Sequence, residues 1–594
     1  MRERLLIRHF LWRFLEHDLI SPSADRHVVL SAIAGALVAV SLFMAILIAI
    51  PYQFSPDMPP GTVSLSSLDD RFLLTSASML VMALAALAQW DALTLDARDS
   101  AVLGVLPIPR ATIVGTKFMA VGLLAIGVAV AWNLAPTLLR FAAVPSRLGV
   151  NIRGALALTL AHGAATLAAG AFGFLSVLGL REVMSAILGP ARFQRISAGL
   201  QAALTVAIVT ALLLVPGAFA SGAARNWLAQ GGLWPRVLPP LWFVGLHETL
   251  AGSVIDTLPR THPSWFPPVL AVAERDATNR YRSLWPLYHE LALRGIAALI
   301  IAGTVTAAAC ACNIRRLPVP VVRRARDGGT GRAWRWAVTH LVVRTPLRQA
   351  GFCFTLQTLS RQASHRVALA TSLAVGLSLV LITARGRVLL SGNEVSDVAS
   401  IPLALLAAQS LLLASVLTGF RYVVRLPAEL RASTTFRLAW GGNLTPYMSG
   451  VKLAGWMALV LPALGGLFIW HATVLGARLA ALHLGVGLVV SALLMETLFV
   501  RYRLVPFASG YLASGELRTR AVASAMVLLL ASFALAGIER FALTAPAGYL
   551  LLVTAMIGLS AGVRAFDRAL PRSAVQADLD EPPSLPTQRL DLTS

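Results

Sequence analysis

Twelve long apolar runs alternate with polar connections along the chain, near 28–50, 72–89, 118–139, 154–180, 198–220, 291–312, 367–384, 401–420, 453–474, 479–500, 521–538 and 543–563. About twenty apolar residues in a helix cross a hydrocarbon core roughly 30 Å thick. A backbone in lipid has to satisfy its own hydrogen bonds, so runs of this length predict helices. The expected fold class is an all-α polytopic membrane protein with about twelve transmembrane helices. Ahead of the first run, Ile7, Phe10, Leu11, Phe14 and Leu15 share one helical face while Arg2, His9, Arg13 and Glu16 oppose them. That pattern predicts an interfacial elbow helix within 1–27. A comparable lead-in, R-Q-A-G-F-C-F-T-L-Q-T-L-S-R-Q-A-S-H-R, enters the seventh run and predicts a second elbow.

Two landmarks recur along the pattern. The only lysines, Lys117 in G-T-K-F and Lys452 in G-V-K-L, stand before the third and ninth runs. Arg26-His27 and His365-Arg366 stand before the first and seventh runs at nearly the same spacing. Together they predict two six-helix pseudo-repeats. The expected organisation is an elbow at 1–27 and a first six-helix half at 28–312 with a long outer loop at 221–289. A basic cytoplasmic linker with the second elbow follows at 313–366, then a second half at 367–563 and a disordered tail at 564–594.

Composition strengthens this picture. Of 594 residues, 57% are hydrophobic and only 13% charged, with mean hydropathy +0.72, against about 25% charged in a soluble domain. The net charge of +22 is a topology signal. With the N-terminus inside, the larger share of Lys and Arg falls in cytoplasmic segments, so both termini are expected in the cytoplasm. The expected partner of the basic surface is the lipid bilayer, and nucleic acid is excluded. Residues 1–27 carry charges throughout and do not fit a cleavable signal peptide. Cys310, Cys312 and Cys353 are too few for a disulfide framework, and no third and fourth ligand completes a metal site with the C-x-C pair.

Catalytic patterns are sparse. Both lysines precede apolar residues, Phe118 and Leu453, so no Walker A loop is present. The mid-portions of the runs carry almost no ionisable groups. His162, His483, Arg294 and Glu496 fall nearer the ends and read as snorkelling or locally paired residues rather than a proton relay. Asp69-Asp70 reads as a solvated loop tip in S-S-L-D-D-R; the functional alternative is an acidic outer mouth of a transferase. The outer loop carries Trp227, Trp234, Trp242, Trp265, Tyr281, Trp285 and Tyr288, expected at headgroup depth. Short amphipathic or re-entrant helices are expected there, with Trp242, Phe243, His247, Glu248 and Trp265 as candidate outer-gate residues. An aromatic belt without a transport role is the other reading.

Two cytoplasmic loops remain. The first contains Asp96, Arg98, Asp99, Pro107, Arg110 and Lys117; its helical stretch from Asp99 to Leu106 is stopped by Pro107 and Pro109. The second contains Arg425, Pro427, Glu429, Arg431, Arg437 and Lys452. Charged residues beside an apolar stripe suit docking of a soluble partner or a helix resting on lipid. The D-x-R-D-x-x-x-L-x-x-L-P-I-x-R-x-x-x-x-x-x-K loop resembles that of ABC-2-type exporter permeases. The F-T-L-Q-T-L-S-R-Q-A-S-H-R and L-P-P-L-W-F-V-G-L-H-E-T-L stretches are similar to large bacterial members. The resemblance implies a permease subunit of the bacterial inner membrane that binds no cofactor itself. ATP and Mg would be held by separate ABC ATPase subunits, two copies, docked on the loops at 91–117 and 421–452. The fused halves imply that no further permease subunit is needed. An ordinary member has six spans, and the short connection near Glu539 implies that the second half lacks a re-entrant gate. Three other classes stay open: an ion-coupled twelve-span secondary carrier, a membrane-embedded lipid or glycan transferase using Asp69 and Asp70, and a non-transporting scaffold.

Overall fold

In the computed structural model the described residues are 2–15, 26–54, 60–90, 108–143, 148, 150–255, 268–315, 345–384, 398, 401–428, 444–502, 505–507 and 516–569. Among them every regular element is helical, and eleven helices are long and apolar enough to cross a membrane. The protein is an all-α polytopic membrane protein. The remaining predicted run, 521–538, lies inside a helix, Glu516–Ala542, that is not among those eleven. The chain divides into two compact units, one drawn from 1–17, 25–197 and 211–322 and the other from 18–24, 198–210 and 323–594.

The first unit opens with α1 (Arg2–Leu15), α2 (Arg26–Phe54), α3 (Pro60–Ala88), α4 (Arg110–Ala143), α5 (Ile152–Leu188) and the two ends of α6 (Pro190–Ala220), whose middle, 198–210, is grouped with the second unit. Of the apolar face predicted for α1, Phe10 buries against Ile113 and Ala120 of α4 with Ile7 and Leu11 half-buried beside it, and Leu6, outside that predicted face, is buried there as well. Lys117 Nζ sits 5.5 Å from the Phe10 ring centroid, a cation–π contact. At the hub lies α3, whose membrane-length window is 78% buried against 17% for α2. Its start differs from expectation. The helix begins at Pro60, well before the predicted run at 72, because proline's fixed φ and missing N–H suit the first turn. A Cβ at Gly173 of α5 would collide with the Met79 carbonyl of α3. Glycine there lets α5 close down until Ser78 Oγ donates to the Thr166 carbonyl at 2.9 Å.

Between α6 and α11 (Trp285–Arg315) the chain forms α7 (Ala223–Gln230), α8 (Leu233–Val237), α9 (Pro239–Ile255) and α10 (Pro268–Ser283). Helix α9 is sunk among the spans rather than resting on them. Its Leu241, Val244 and Ala251 are fully buried with Leu68 and Phe72 of α3 and Tyr288 and Leu291 of α11. Tyr281 and Tyr288 are 2% and 0% exposed, so they are packed inside protein.

The second unit contains α12 (Pro346–Arg361), α13 (Ala363–Ala384), α14 (Leu403–Arg425), α15 (Leu444–Gly455), a π turn at Trp456–Val460, α16 (Leu461–Leu475), α17 (Ala477–Leu498), α18 (Glu516–Ala542) and α19 (Pro546–Ala569). Here α14 is the hub, also 78% buried. The π turn has a local cause. Pro462 has no N–H and its ring would strike the carbonyl four residues back, and the wide turn, closed by Leu461 N–H to the Trp456 carbonyl, relieves that clash. Helix α12 crosses α15 at two glycines: a Cβ at Gly351 would land on the Tyr447 carbonyl, and one at Gly450 on the Arg348 carbonyl. Residues 543–545 turn α18 directly into α19.

Candidate functional site

Three consecutive charged residues of α3 organise the first unit's polar centre. Side chains on a helix advance about 100° per residue, so Asp69, Asp70 and Arg71 point to three different neighbours. Asp69 Oδ1 accepts from the backbone N–H groups of Ala224 and Arg225 at 3.1 and 3.3 Å, and its Oδ2 lies 2.5 Å from Arg225 Nε. It thereby caps the N-terminus of α7, satisfying donors that the helix cannot. Asp70 accepts from the Tyr52 hydroxyl of α2. Arg71 forms an ion pair with Glu248 of α9, and Tyr281 of α10 donates to the other Glu248 oxygen. Glu274 of α10 completes the ring by capping α3 itself, accepting from Gly61 N–H at 2.5 Å and Thr62 N–H at 3.2 Å. Carboxylates at helix N-termini also gain from the aligned peptide dipoles.

The charged centre of the knot is buried. Arg71 is 2% exposed, Glu248 0%, Asp69 3% and Asp70 5%. Burial alone would push the Glu248 carboxyl up. The Arg71 guanidinium, with help from His247 and Tyr281, outweighs it and holds the group at about 2. Burial and then the Glu248 charge push the Tyr281 phenol well above its ordinary value, so it stays a donor. His247 Nδ1 is 3.3 Å from Glu248 Oε1, and its ring meets His162 of α5 edge-on at 6.0 Å. Charges removed from water this completely are stable only when paired and hydrogen-bonded.

The expectation of a solvated tip at Asp69-Asp70 is therefore wrong. Both carboxylates lie within a helix, buried, and engaged by protein donors. His162, at 1% exposure, does not snorkel either. Of the gate candidates, Trp242, Phe243, His247 and Glu248 share α9, while Trp265 lies outside the described residues. Phe243 packs with Phe172 of α5, and Trp242 Nε1 donates to the Arg236 carbonyl at 3.1 Å. Arg71, Tyr52 and Glu274 are members that sequence reasoning missed. The available signal was the Pro60 start, which extends the helix through S-S-L-D-D-R.

The coupling candidates divide. Asp96, Arg98, Asp99, Pro107, Glu429, Arg431 and Arg437 lie outside the described residues. Arg110 opens α4. Lys117 is buried against α1, whereas Lys452 Nζ pairs with Glu496 Oε2 at 2.6 Å and Arg564 Nε holds the other oxygen at 2.8 Å. Arg425 ends α14 and Pro427 is buried just beyond it. There Ala428 N–H donates to the Phe507 carbonyl at 2.8 Å and Phe507 N–H to Val424 at 2.9 Å. At the other end of α3, Arg181 Nε donates to the Trp90 carbonyl at 2.7 Å and Asn313 Nδ2 to Glu182 Oε2 at 2.7 Å. This second network closes the first unit. Among the described residues no group of three His, Cys, Asp or Glu has metal-site geometry. No family model, curated protein or solved structure matches this chain.

Proposed function

We propose that the chain is the membrane-spanning permease subunit of an ABC-type exporter, driven by two separate ATPase subunits at the cytoplasmic loops 91–117 and 421–452. The observation that carries this reading is a repeated contact. In each unit a short helix ahead of the first span lies across the start of the third span, directly after the candidate coupling loop. In the first unit this is α1 on α4, with Phe10 under Lys117. In the second it is α12 on α15, with Phe352 against Ala454 two residues beyond Lys452. A push on either loop would reach a span through a helix already wedged against it, which suits coupling from the inner face. The buried knot of Arg71 and Glu248 fits the same scheme: it ties α9 and α10 to the hub, so the insert moves with α3 as one body. The setting is a bacterial inner membrane with both termini cytoplasmic, and the energy comes from ATP and Mg on the partner.

The test is affinity purification of the tagged full-length chain from its native membrane. Co-purification of an ATP-binding-cassette ATPase is expected, and charge reversal at Asp99 or Arg437 is expected to lose it while membrane insertion persists. Retention of the ATPase by both variants would overturn the docking role. Transport by proteoliposomes holding this chain alone would overturn the reading altogether.

A further inference from the structure

The second unit holds a buried acid–imidazole chain that ATP-driven transport does not call upon. His471 lies on α16, His483 on α17 and Glu539 on α18, with exposures of 1%, 1% and 2%. Gly476, at φ 80°, turns α16 sharply into α17 and sets the two imidazoles face to edge, with ring centroids 4.6 Å apart. His483 Nδ1 is 2.6 Å from Glu539 Oε1, and His471 Nε2 is 3.3 Å from the Leu405 carbonyl of α14. The far nitrogens, His471 Nδ1 and His483 Nε2, are buried with no hydrogen-bond partner.

Proton counting follows from these contacts. A carbonyl only accepts, so Nε2 of a neutral His471 carries its hydrogen and Nδ1 keeps the lone pair. One proton lies between His483 Nδ1 and Glu539 Oε1 whichever group owns it. If the pair held no other dissociable proton, a neutral imidazole would face a carboxylate and leave a net negative charge inside the bundle. One further proton makes the pair neutral, as imidazolium with carboxylate or as imidazole with carboxylic acid. Burial without a compensating cation favours the neutral forms.

The surrounding groups supply no such cation among the described residues. From α14, Gln409 Nε2 donates to the His483 carbonyl at 2.8 Å. From α17, Arg478 is exposed. From α18, Arg540 Nη1 reaches the Ile401 carbonyl at 3.4 Å, and from α19 the Tyr549 hydroxyl donates to Leu482 at 3.1 Å. Ionisable groups inside membrane bundles are rare and commonly mark ion or proton paths.

We propose that Glu539, His483 and His471 form an intramembrane proton-binding site, which takes up one proton from the face where α16 turns into α17. His471 lies about one helical turn before Gly476 and His483 about two turns after it, so a small opening at that turn connects the site to water. Separation of α18 from α17 releases the proton, and their closure binds it, linking the packing of this unit to the pH at that face. The site stands independently of the ATPase reading.

Thermal unfolding of the purified full-length chain in detergent, followed between about pH 7 and 9, tests this. Unfolded Glu is ionised and unfolded His mostly neutral in that range. A folded state that carries the extra proton loses stability as pH rises through its release. The wild-type Tm is expected to fall by about 2 °C per pH unit more steeply than that of Glu539→Gln. His483→Gln is expected to flatten the profile likewise, and His471→Gln, which keeps a donor for the Leu405 carbonyl, to flatten it in part. Should Glu539→Gln fail to fold, the two histidine variants carry the comparison. A uniform drop in Tm at every pH, with the wild-type slope retained in the variants, would mean a packing role only and would overturn the proposal. So would a wild-type profile with no slope.

Discussion

Replacing Arg71 by Met isolates the central ion pair. The substitution keeps the length and apolar stem of the side chain but removes the guanidinium, leaving Glu248 at 0% exposure without its counter-ion. Breaking a buried pair from one side costs about 3–5 kcal/mol. The carboxyl itself gives a second route. Its displacement from 4.5 to about 2 corresponds to about 3 kcal/mol at ~1.4 kcal/mol per tenfold change in proton affinity. The two routes agree because both measure what the guanidinium does for the same charge. Removing both partners, Arg71→Met with Glu248→Leu, leaves no stranded charge and is expected to recover most of the loss. Intrinsic tryptophan fluorescence during thermal unfolding in detergent at pH 7 provides the readout. The single variant is expected to lower Tm by about 5–8 °C, and the double variant by much less. A single-variant loss below ~1 kcal/mol, or a double variant equal to the sum of the singles, would refute the reasoning.

Three further outcomes follow. Because the folded-state value of Glu248 is depressed, its contribution is complete above 4.5 and is lost as pH falls toward about 2; the Tm gap between wild type and Arg71→Met is expected to close across that acid window. Arg225 is 43% exposed in its pair with Asp69, so Arg225→Ala is expected to cost under ~1 kcal/mol in thermal unfolding, whereas Asp69→Ala, which uncaps α7, costs about 1–2 kcal/mol. Gly450→Leu would drive a side chain into the Arg348 carbonyl and is expected to cost about 1–3 kcal/mol and to open α12 to limited proteolysis. Gly465→Ala, facing open space on α16, serves as its control, with a stability equal to or above wild type.

The sequence pattern located the spans well because lipid-facing surface must be apolar whatever lies behind it. Leu42, Phe43, Ile46 and Leu47 of α2 are exposed in the isolated chain, and such residues are what a hydropathy run detects. The amphipathic face of α1 was legible from its helical spacing, and Phe10 is the buried residue of that face, while the burial of Leu6 beside it was not foreseen. What stayed hidden was polar and internal. The stretch from Thr62 to Arg71 contains Thr62, Ser64, Ser66, Ser67, Asp69, Asp70 and Arg71, which read as a loop when each run is taken to end at its first charge. His471 carries no neighbouring charge and sits in an apolar run, so only its approach to His483 marks it. Glu539 served as a landmark for a short connection, and the pairing that makes it chemically distinctive spans three helices.

The two hub helices explain why hydropathy and burial diverge here. A helix enclosed by protein on all sides meets no lipid, so its side chains are chosen for partners rather than for transfer into hydrocarbon. Helix α3 spends its enclosed first half on small hydroxyls and three charges, each answered by a different neighbour, and its window is nevertheless 78% buried. Helix α14, equally buried, instead spends its interior on Leu405, Leu406, Leu411 and Leu412 and places Gln409 against the His483 carbonyl. The two hubs thus solve the same geometric problem with opposite chemistry, one through ion pairs and one through close apolar packing. Charges fixed to three partners hold those partners in one register. On that ground the insert-bearing end of the first unit is its rigid part. The acid–imidazole chain of the second unit is held by one short contact, one ring edge and one longer bond to the Leu405 carbonyl, and it is where a change of protonation would meet the least resistance.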